Sequence, residues 1–145
     1  MSSNVVRAGV GVLLIRDGKV LLGRRHDDPK KADSELHGEG KWTCPGGKMD
    51  FHETLFGQAI KEVKEETGIE VRKLKISSVA NERVPDKHFV TINFVATEFS
   101  GEPKVMEPDE IVEWRWFPLD KLPENLFSPS RKTIMNYLDK EIYKY

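Results

Sequence analysis

The stretch from Gly47 to Ile69 reads GKMDFHETLFGQAIKEVKEETGI, and it organises the interpretation of the whole chain. Thr54 can begin a helix, because its hydroxyl can accept hydrogen bonds from the free N–H groups of a first turn. Gly68 stands where a left-handed residue usually ends a helix, and Ile69 supplies the apolar residue that commonly follows. The stretch therefore predicts a helix between Thr54 and Gly68.

Two faces of this predicted helix differ in chemistry. The apolar residues that recur at helical spacing predict a buried face, and they are Phe56, Ala59, Ile60 and Val63. Glu62, Glu65 and Glu66 stand at i, i+3 and i+4, so they share a neighbouring face. Like charges at this spacing repel, and the C-terminus of a helix favours cations over anions. A divalent cation such as Mg²⁺, which prefers carboxylate oxygens, would relieve both unfavourable effects.

The alternative is an acidic face that is simply solvated. Lys61 and Lys64 lie among the glutamates and balance part of their charge, and charge-laced helices are common. The acidic cluster does not stand alone, however, because a glycine turn from Cys44 to Gly47 and a further acid, Glu53, precede the helix.

Together these residues resemble the Nudix box, a pattern of Gly, five residues, Glu, seven residues, Arg-Glu, an aliphatic residue, any residue, Glu-Glu, any residue, Gly and an aliphatic residue. The chain matches it with Gly47, Glu53, Lys61, Glu62, Val63, Glu65, Glu66, Gly68 and Ile69. Lys61 is the one departure, since the box has Arg at that position. The wider resemblance extends from about Val5 to Leu122.

The resemblance implies hydrolysis of a nucleoside diphosphate linked to another group. It also implies that Glu62, Glu65 and Glu66 bind Mg²⁺, which Mn²⁺ can replace, helped by a backbone carbonyl of Gly46 or Gly47. Such ions neutralise a diphosphate and lower the pKa of an attacking water. Glu62 is the candidate general base, although a glutamate from a later loop takes that role in some members.

The resemblance also suggests roles for several charged residues besides the three glutamates of the helix. Glu53 usually contacts the Arg position of the box, which Lys61 occupies here. Arg offers a planar fork to two carboxylates whereas Lys is a mobile point charge, so we expect a looser contact. Glu110 is the candidate metal-binding glutamate of the later loop, with Glu107 second, and the alternative for both is a solvated loop acid.

Candidate substrate-binding residues lie outside the helix. Arg24 and Arg25 end a predicted strand and suit bidentate contacts to phosphates, with a solvated strand end as the equal alternative. Trp42 is either a core residue or a wall on which a base stacks. The resemblance places base-pocket residues between Phe89 and Phe94, and we take Phe94 as the candidate. The polar segment from His26 to Lys41 predicts a mobile loop over the site.

Hydrophobic patterning predicts strands on both sides of the box helix, over Val5–Ile15, Val20–Gly23, Trp42–Cys44, Val71–Arg83, His88–Phe99 and Ile111–Phe117. Ser128 and Pro129 are interpreted as the N-cap and first residue of a last helix. Its predicted apolar stripe is Ile134, Tyr137, Leu138 and Ile142. The resemblance implies an α/β fold, an α/β/α sandwich in which a mixed β-sheet lies between helices.

Composition narrows the class of protein. The 145 residues fit one domain, taken as residues 1–145, and the net charge of −1 gives no indication of a nucleic-acid or membrane partner. No apolar run reaches membrane-spanning length, and no signal peptide is recognised. The single cysteine, Cys44, excludes an internal disulfide, so we expect a cytoplasmic protein that acts on a small nucleotide. Many similar proteins are homodimers, which leaves a homodimer open.

Three functions remain open. A triphosphate pyrophosphohydrolase, which converts a nucleoside or deoxynucleoside triphosphate to the monophosphate and pyrophosphate, is favoured by the resemblance at Asn81, His88 to Ile92 and Trp114 to Leu122. Hydrolysis of ADP-ribose or another sugar nucleotide is the second, because Pro85 follows Ile69 by sixteen residues, as in ADP-ribose hydrolases of the family. Turns favour proline for local reasons, which weakens that sign. The third is a non-catalytic nucleotide sensor, which usually lacks some of the box acids.

Overall fold

The computed structural model describes residues 4–28, 30–31 and 38–143, so residues 29 and 32–37 of the predicted loop lie outside it. The elements of the described residues are β1 (Val6–Leu13), β2 (Ile15–Arg16), β3 (Lys19–Arg25), β4 (Trp42–Thr43), β5 (Gly46–Lys48), α1 (Leu55–Thr67), β6 (Glu70–Val84), β7 (Lys87–Ser100), β8 (Ile111–Pro118) and α2 (Ser128–Asp139). Every predicted strand and both predicted helices are present.

The strands of the described residues form two sheets. The first is mixed and has the order β5-β1-β7-β6, in which β1 and β7 run parallel and the other neighbours are antiparallel. The second pairs β3 with β2, β4 and β8, all antiparallel. The predicted mixed sheet is therefore confirmed, and the second sheet accompanies it.

The alternation of side chains along β1 separates two hydrophobic cores. Val10 and Val12 pack in one core with Ala59 and Val63 of α1. Leu13 packs in the other core with Ile134 of α2. Since successive residues of a strand point to opposite faces, the two helices cover opposite faces of the mixed sheet. The α/β/α sandwich implied by the resemblance is confirmed.

The segment predicted as a glycine turn is partly a strand. Gly46–Lys48 forms β5 and pairs with β1, with Gly46 opposite Gly11 and Gly47 opposite Val10. The two chains approach so closely that a Cβ on Gly46 would lie 2.2 Å from the Val10 carbonyl oxygen. Glycine is therefore needed here because the two backbones are in close contact. An interpretation as a turn, which is based on local propensity, does not reveal this.

Two apolar faces are less buried than predicted. Phe56 is 48% exposed, with its ring centre 5.4 Å from that of Phe94, because it lies at the first turn of α1 beside the core. Leu138 is 42% exposed, and Ile142 is 68% exposed because α2 already ends at Asp139.

The start of α2 also differs by one residue from the prediction. The carbonyl of Phe127 accepts the first helical hydrogen bond, from the N–H of Arg131, so Phe127 is the N-cap in place of Ser128. No side chain caps this end. No helix of the described residues has the length and apolar character needed to cross a membrane.

Candidate active site

Helix α1 is fixed at both ends by the predicted residues. The Thr54 hydroxyl accepts a hydrogen bond from the Gly57 N–H at 2.9 Å, and Gly68 adopts a left-handed conformation with φ of 79°. The indole N–H of Trp114 in β8 donates to the Glu66 carbonyl at 3.2 Å. These contacts hold Glu62 and Glu66, one turn apart, against β5.

Glu66 is the most enclosed acid of the site. Its side chain accepts a hydrogen bond from the Gly46 N–H at 3.0 Å, and only 9% of the residue is exposed. Burial raises the pKa of this carboxyl well above its usual range, and the neighbouring charge of Glu62 adds to the effect. An ionised Glu66 is therefore unfavourable without a compensating cation.

Glu62 lies directly over the glycines of β5. A Cβ on Gly47 would fall 2.7 Å from the Glu62 carboxyl carbon, so any other residue at this position would displace the end of the Glu62 side chain. Burial raises the pKa of Glu62 to about 7, whereas a hydrogen bond from Gln58 opposes the shift and the charge of Glu65 adds to it. Gln58 donates to Glu62 at 2.9 Å and accepts from the Asp50 N–H at 2.9 Å, so it orients the carboxylate.

Glu65 differs from its two neighbours on the helix. It is exposed and does not line the cavity that contains Glu62 and Glu66. Within the described residues, no three His, Cys, Asp or Glu side chains converge closely enough to form a metal site by themselves. Of the three predicted acids, Glu62 and Glu66 therefore lie together in the cavity, and Glu65 lies outside it.

Lys61 occupies the Arg position of the box and contacts two carboxylates. Its Nζ lies 2.6 Å from Asp50 Oδ2 and 3.8 Å from Glu53 Oε2. The hydrogen bond raises the pKa of Lys61 and lowers that of Asp50. Glu53 also accepts from the Thr54 N–H at 3.0 Å. The longer contact to Glu53 fits the looser support expected from lysine.

The loop acids close the acidic end of the cavity. Glu107 and Glu110 both line it, and the Glu110 carbonyl accepts from the His26 N–H at 2.8 Å. Partial burial and the charges of Glu110 and Glu65 raise the pKa of Glu107. Two loop glutamates therefore face the box pair, and Glu107 is the more enclosed of them.

The two predicted arginines have different surroundings. Arg25 lines the cavity, with its guanidinium carbon 5.7 Å from the ring centre of Phe127. Arg24 does not line it and lies 3.4 Å from both Glu113 and Asp27. Only Arg25 is positioned to reach a ligand in the cavity.

The two aromatic residues that were predicted to contact the substrate are both buried in the core. Trp42 is 6% exposed and packs edge-on against Phe117 with ring centres 4.8 Å apart, so its core interpretation holds. Phe94 has no exposed surface and belongs to the core beneath α1. Neither residue lines the cavity, because both side chains are needed to fill the space between sheet and helices.

The cavity has a volume of about 510 Å³, within the usual range for small-molecule sites. Away from the acids it is lined by Phe89, Thr91 and Asn93, which lie in the range that the resemblance gave for base-pocket residues. Six further lining residues were missed by sequence reasoning: Gly9, Gly11, Phe127, Pro129, Ser130 and Thr133. The alternating glycines of β1 are the sequence signal that could have indicated close packing of neighbouring residues on this face of the strand. Gln58, placed four residues before Glu62, could have been found from helical spacing.

Comparison with known proteins adds the family. The NUDIX domain model matches residues 5–137. A curated relative from Danio rerio, oxidized purine nucleoside triphosphate hydrolase, is 35% identical over 114 residues, which cover 77% of this chain and 66% of the relative. An ADP-ribose pyrophosphatase from Methanocaldococcus jannaschii is 30% identical over 128 residues, covering 87% of this chain and 69% of the relative. The chain spans about two thirds of the length of both relatives.

A solved structure agrees with these matches. The crystal structure of a MutT NUDIX hydrolase from Burkholderia pseudomallei gives a TM-score of 0.81 at 32% identity and covers 92% of this chain and 98% of that chain. Because the family model extends over nearly all of the described residues and the fold agrees with this neighbour, the chain belongs to the NUDIX domain family and is a hydrolase that acts on pyrophosphate bonds.

Proposed function

We propose that the chain is a Mg²⁺-dependent pyrophosphohydrolase that converts a nucleoside or deoxynucleoside triphosphate to the monophosphate and pyrophosphate. The observation that carries this proposal is the polarity of a single cavity. Glu62, Glu66, Glu107 and Glu110 line one end, and neutral residues of β1, β7 and α2 line the other. A ligand that is highly charged at one end and neutral at the other fits this division.

The acidic end suits Mg²⁺ on the chemistry of its donors. Glu62 and Glu66 are carboxylates whose ionised forms are disfavoured by burial, so a bound cation would stabilise them. Mg²⁺ usually keeps several waters and takes only one or two protein carboxylates plus substrate phosphates, which agrees with a close pair of acids. A carbonyl of Gly46 or Gly47 would complete the protein ligands, with Glu65 and Glu110 further out. Mn²⁺ can occupy such a site too.

The residues of this chain then have distinct roles. When bound, the metal supplies charge neutralisation of the diphosphate and a more acidic water. Glu62, whose orientation is fixed by a hydrogen bond from Gln58, is the first candidate to take the proton of that water. Glu107 is the second candidate, since it faces the pair from the loop. Arg25 is the candidate contact to a phosphate oxygen.

Hydrolysis of ADP-ribose is the second candidate function. It is favoured by the name of the archaeal relative and by Pro85. Pro85, however, lies in the turn between β6 and β7 and does not line the cavity. The Danio rerio relative, whose name gives a triphosphate substrate, is the more similar in sequence. These two points support the triphosphate as the better substrate, in a small-molecule enzyme that we place in the cytoplasm.

A substrate panel decides between the two functions. The four ribonucleoside and four deoxynucleoside triphosphates and ADP-ribose are compared under identical Mg²⁺, with pyrophosphate and phosphate detected separately. We expect the highest kcat/KM for a triphosphate, with pyrophosphate as product, and loss of activity on chelation. A tenfold preference for ADP-ribose, about 1.4 kcal/mol in transition-state binding, would overturn the proposal.

A further inference from the structure

At the neutral end of the cavity, the floor contains two glycines of β1, and polar side chains of β7 lie over them. In β1, Val10 and Val12 point into the core beneath α1, and Gly9 and Gly11 fall on the opposite face. Gly9 pairs with Thr91 and Gly11 with Asn93 of the parallel neighbour β7. Because the glycines have no side chains, Thr91 and Asn93 can lie over them and present their polar groups at this end of the cavity.

Asn93 extends over this floor. Its amide oxygen lies 2.6 Å from the position that a Cβ on Gly11 would take, although the residue is only 3% exposed. Its amide nitrogen donates to the Ser78 hydroxyl at 3.3 Å, which is a long hydrogen bond. A carboxamide carries a donor and an acceptor side by side, so Asn93 has hydrogen-bonding capacity left for a ligand.

Thr133 approaches the same space from α2. It is 2% exposed and lines the cavity, yet its hydroxyl has no hydrogen-bond partner among the described residues. Thr67 is the useful comparison, because it is equally buried on α1 and donates to the Val63 carbonyl at 2.7 Å. A buried helical threonine can pair its hydroxyl with the carbonyl four residues earlier, as Thr67 does, but the Thr133 hydroxyl has no partner among the described residues.

The neighbouring hydroxyl of Ser130 is already used. It accepts from the Cys44 N–H at 2.9 Å and lies 3.0 Å from the Thr43 hydroxyl. Ser130 therefore ties α2 to the segment beside β4, whereas Thr133, one turn further along and also in the cavity lining, has a buried hydroxyl with no hydrogen-bond partner among the described residues. A buried hydroxyl without a partner is unfavourable in the free protein, and a ligand that pairs with it removes that disadvantage.

We propose that the Thr133 hydroxyl and the Asn93 carboxamide hydrogen-bond the edge of the substrate's nucleobase and determine which base is preferred. The base would lie in the cavity beside Asn93 of β7 and Thr133 of α2. This inference rests on the proposed function only in that it takes the ligand to be a nucleotide. A site built to pair polar groups discriminates strongly against ligands that leave those groups unpaired.

The test separates base recognition from catalysis by measuring binding of products. Titration calorimetry compares AMP, GMP, CMP and UMP with ribose 5-phosphate, which lacks a base. We expect the wild-type protein to bind at least one of the nucleotides tenfold more tightly than ribose 5-phosphate. Thr133→Val, which keeps the shape and removes the hydroxyl, should lose about tenfold of that affinity and none of its affinity for ribose 5-phosphate. Its melting temperature should be equal or higher, because no internal hydrogen bond is lost.

Two matched variants accompany this measurement. Thr133→Ser retains the hydroxyl and should keep most of the base-dependent affinity. Thr97→Val makes the same change at an exposed position of β7 that does not line the cavity, and should bind like the wild type. In the wild-type protein, the side-chain amide NMR signal of Asn93 should shift on adding the preferred nucleotide and remain in place with ribose 5-phosphate.

Three results would overturn the inference: no base-dependent binding by the wild type, the same base-dependent affinity in Thr133→Val, or an unmoved Asn93 amide signal. Failure of the proposed function gives a different pattern. In that case the wild type hydrolyses no triphosphate, while base-dependent binding of monophosphates and its loss in Thr133→Val persist.

Discussion

The two ends of the cavity use burial in opposite ways. At the acidic end, Glu62 and Glu66 are charged groups held by hydrogen bonds from Gln58 and Gly46, and burial leaves them in need of a cation. At the neutral end, the uncharged Thr133 hydroxyl has no hydrogen-bond partner among the described residues, and burial leaves it in need of one. On the two proposals made above, the acidic end orients ionisable groups for hydrolysis, and the neutral end holds an unpaired hydroxyl that can recognise a base.

The largest effect on activity is expected when a negative charge is removed from the acidic end, and this tests the contrast between the two ends most directly. Glu66→Gln keeps the shape and can still accept from the Gly46 N–H. We expect kcat to fall about 100-fold or more, because metal charge stabilisation supplies several kcal/mol. Melting should occur at an equal or higher temperature, since a buried carboxylate is removed.

Two controls define the meaning of that result. Glu65→Gln should lose less activity than Glu66→Gln, because Glu65 is exposed and outside the cavity lining. Glu124→Gln, in an exposed loop, should behave as wild type. Near-normal turnover in Glu66→Gln would remove the basis for the metal assignment.

A smaller effect is expected from the bracing of the acidic end. Lys61→Ala removes the contacts to Asp50 and Glu53 and should lower kcat/KM about tenfold by misplacing the helix start. Lys61→Arg should match or exceed the wild type, because a guanidinium fork can reach both acids. Lys64→Ala is the control on the same helix, since Lys64 pairs with Glu70. Equal kinetics in all of these proteins would deny Lys61 any supporting role.

The smallest expected effect is on the pH dependence of stability, and it comes from the buried Cys44 thiol, for which no cation is expected. Burial raises the pKa of Cys44, which lines the neutral part of the cavity, to about 12. The unfolded thiol ionises near pH 9, so folding retains a proton that unfolding releases, and stability falls as pH rises above 9. The contribution between pH 8 and 10 is about 1.3 kcal/mol. Urea unfolding should show that the free energy of unfolding falls by this amount more in the wild type than in Cys44→Ala when the pH is raised from 8 to 10. The same pH dependence in both proteins would contradict the prediction.

The acidic end could be predicted from sequence because its geometry is local. Helical spacing alone places Glu62 and Glu66 one turn apart, and Thr54 and Gly68 fix the helix that carries them. The outward position of Glu65 was not predictable, since spacing does not tell which of three neighbours faces β5. The same holds for Arg24 and Arg25, whose surroundings depend on the pairing of β3 with β8.

The neutral end could not be predicted in the same way. Asn93 and Thr133 are separated by 40 residues, and each is ordinary in its own segment. What distinguishes Thr133 is an absent hydrogen bond in the described structure, and only tertiary packing reveals it. Phe94 illustrates the opposite error, because a resemblance assigned it to a pocket while the alternation of β7 turns it into the core.

The close approach of β5 to its neighbours has a consequence for how the enzyme tolerates sequence change. Any side chain at Gly46 would collide with the Val10 carbonyl, and any at Gly47 with the Glu62 carboxylate. The stretch with least mutational freedom is therefore a strand whose two glycines contribute no functional side chain. In a saturation-mutagenesis library, Gly46 should be intolerant because its neighbour is backbone that cannot move aside, whereas substitutions at Gly47 should lower activity by displacing the Glu62 carboxylate.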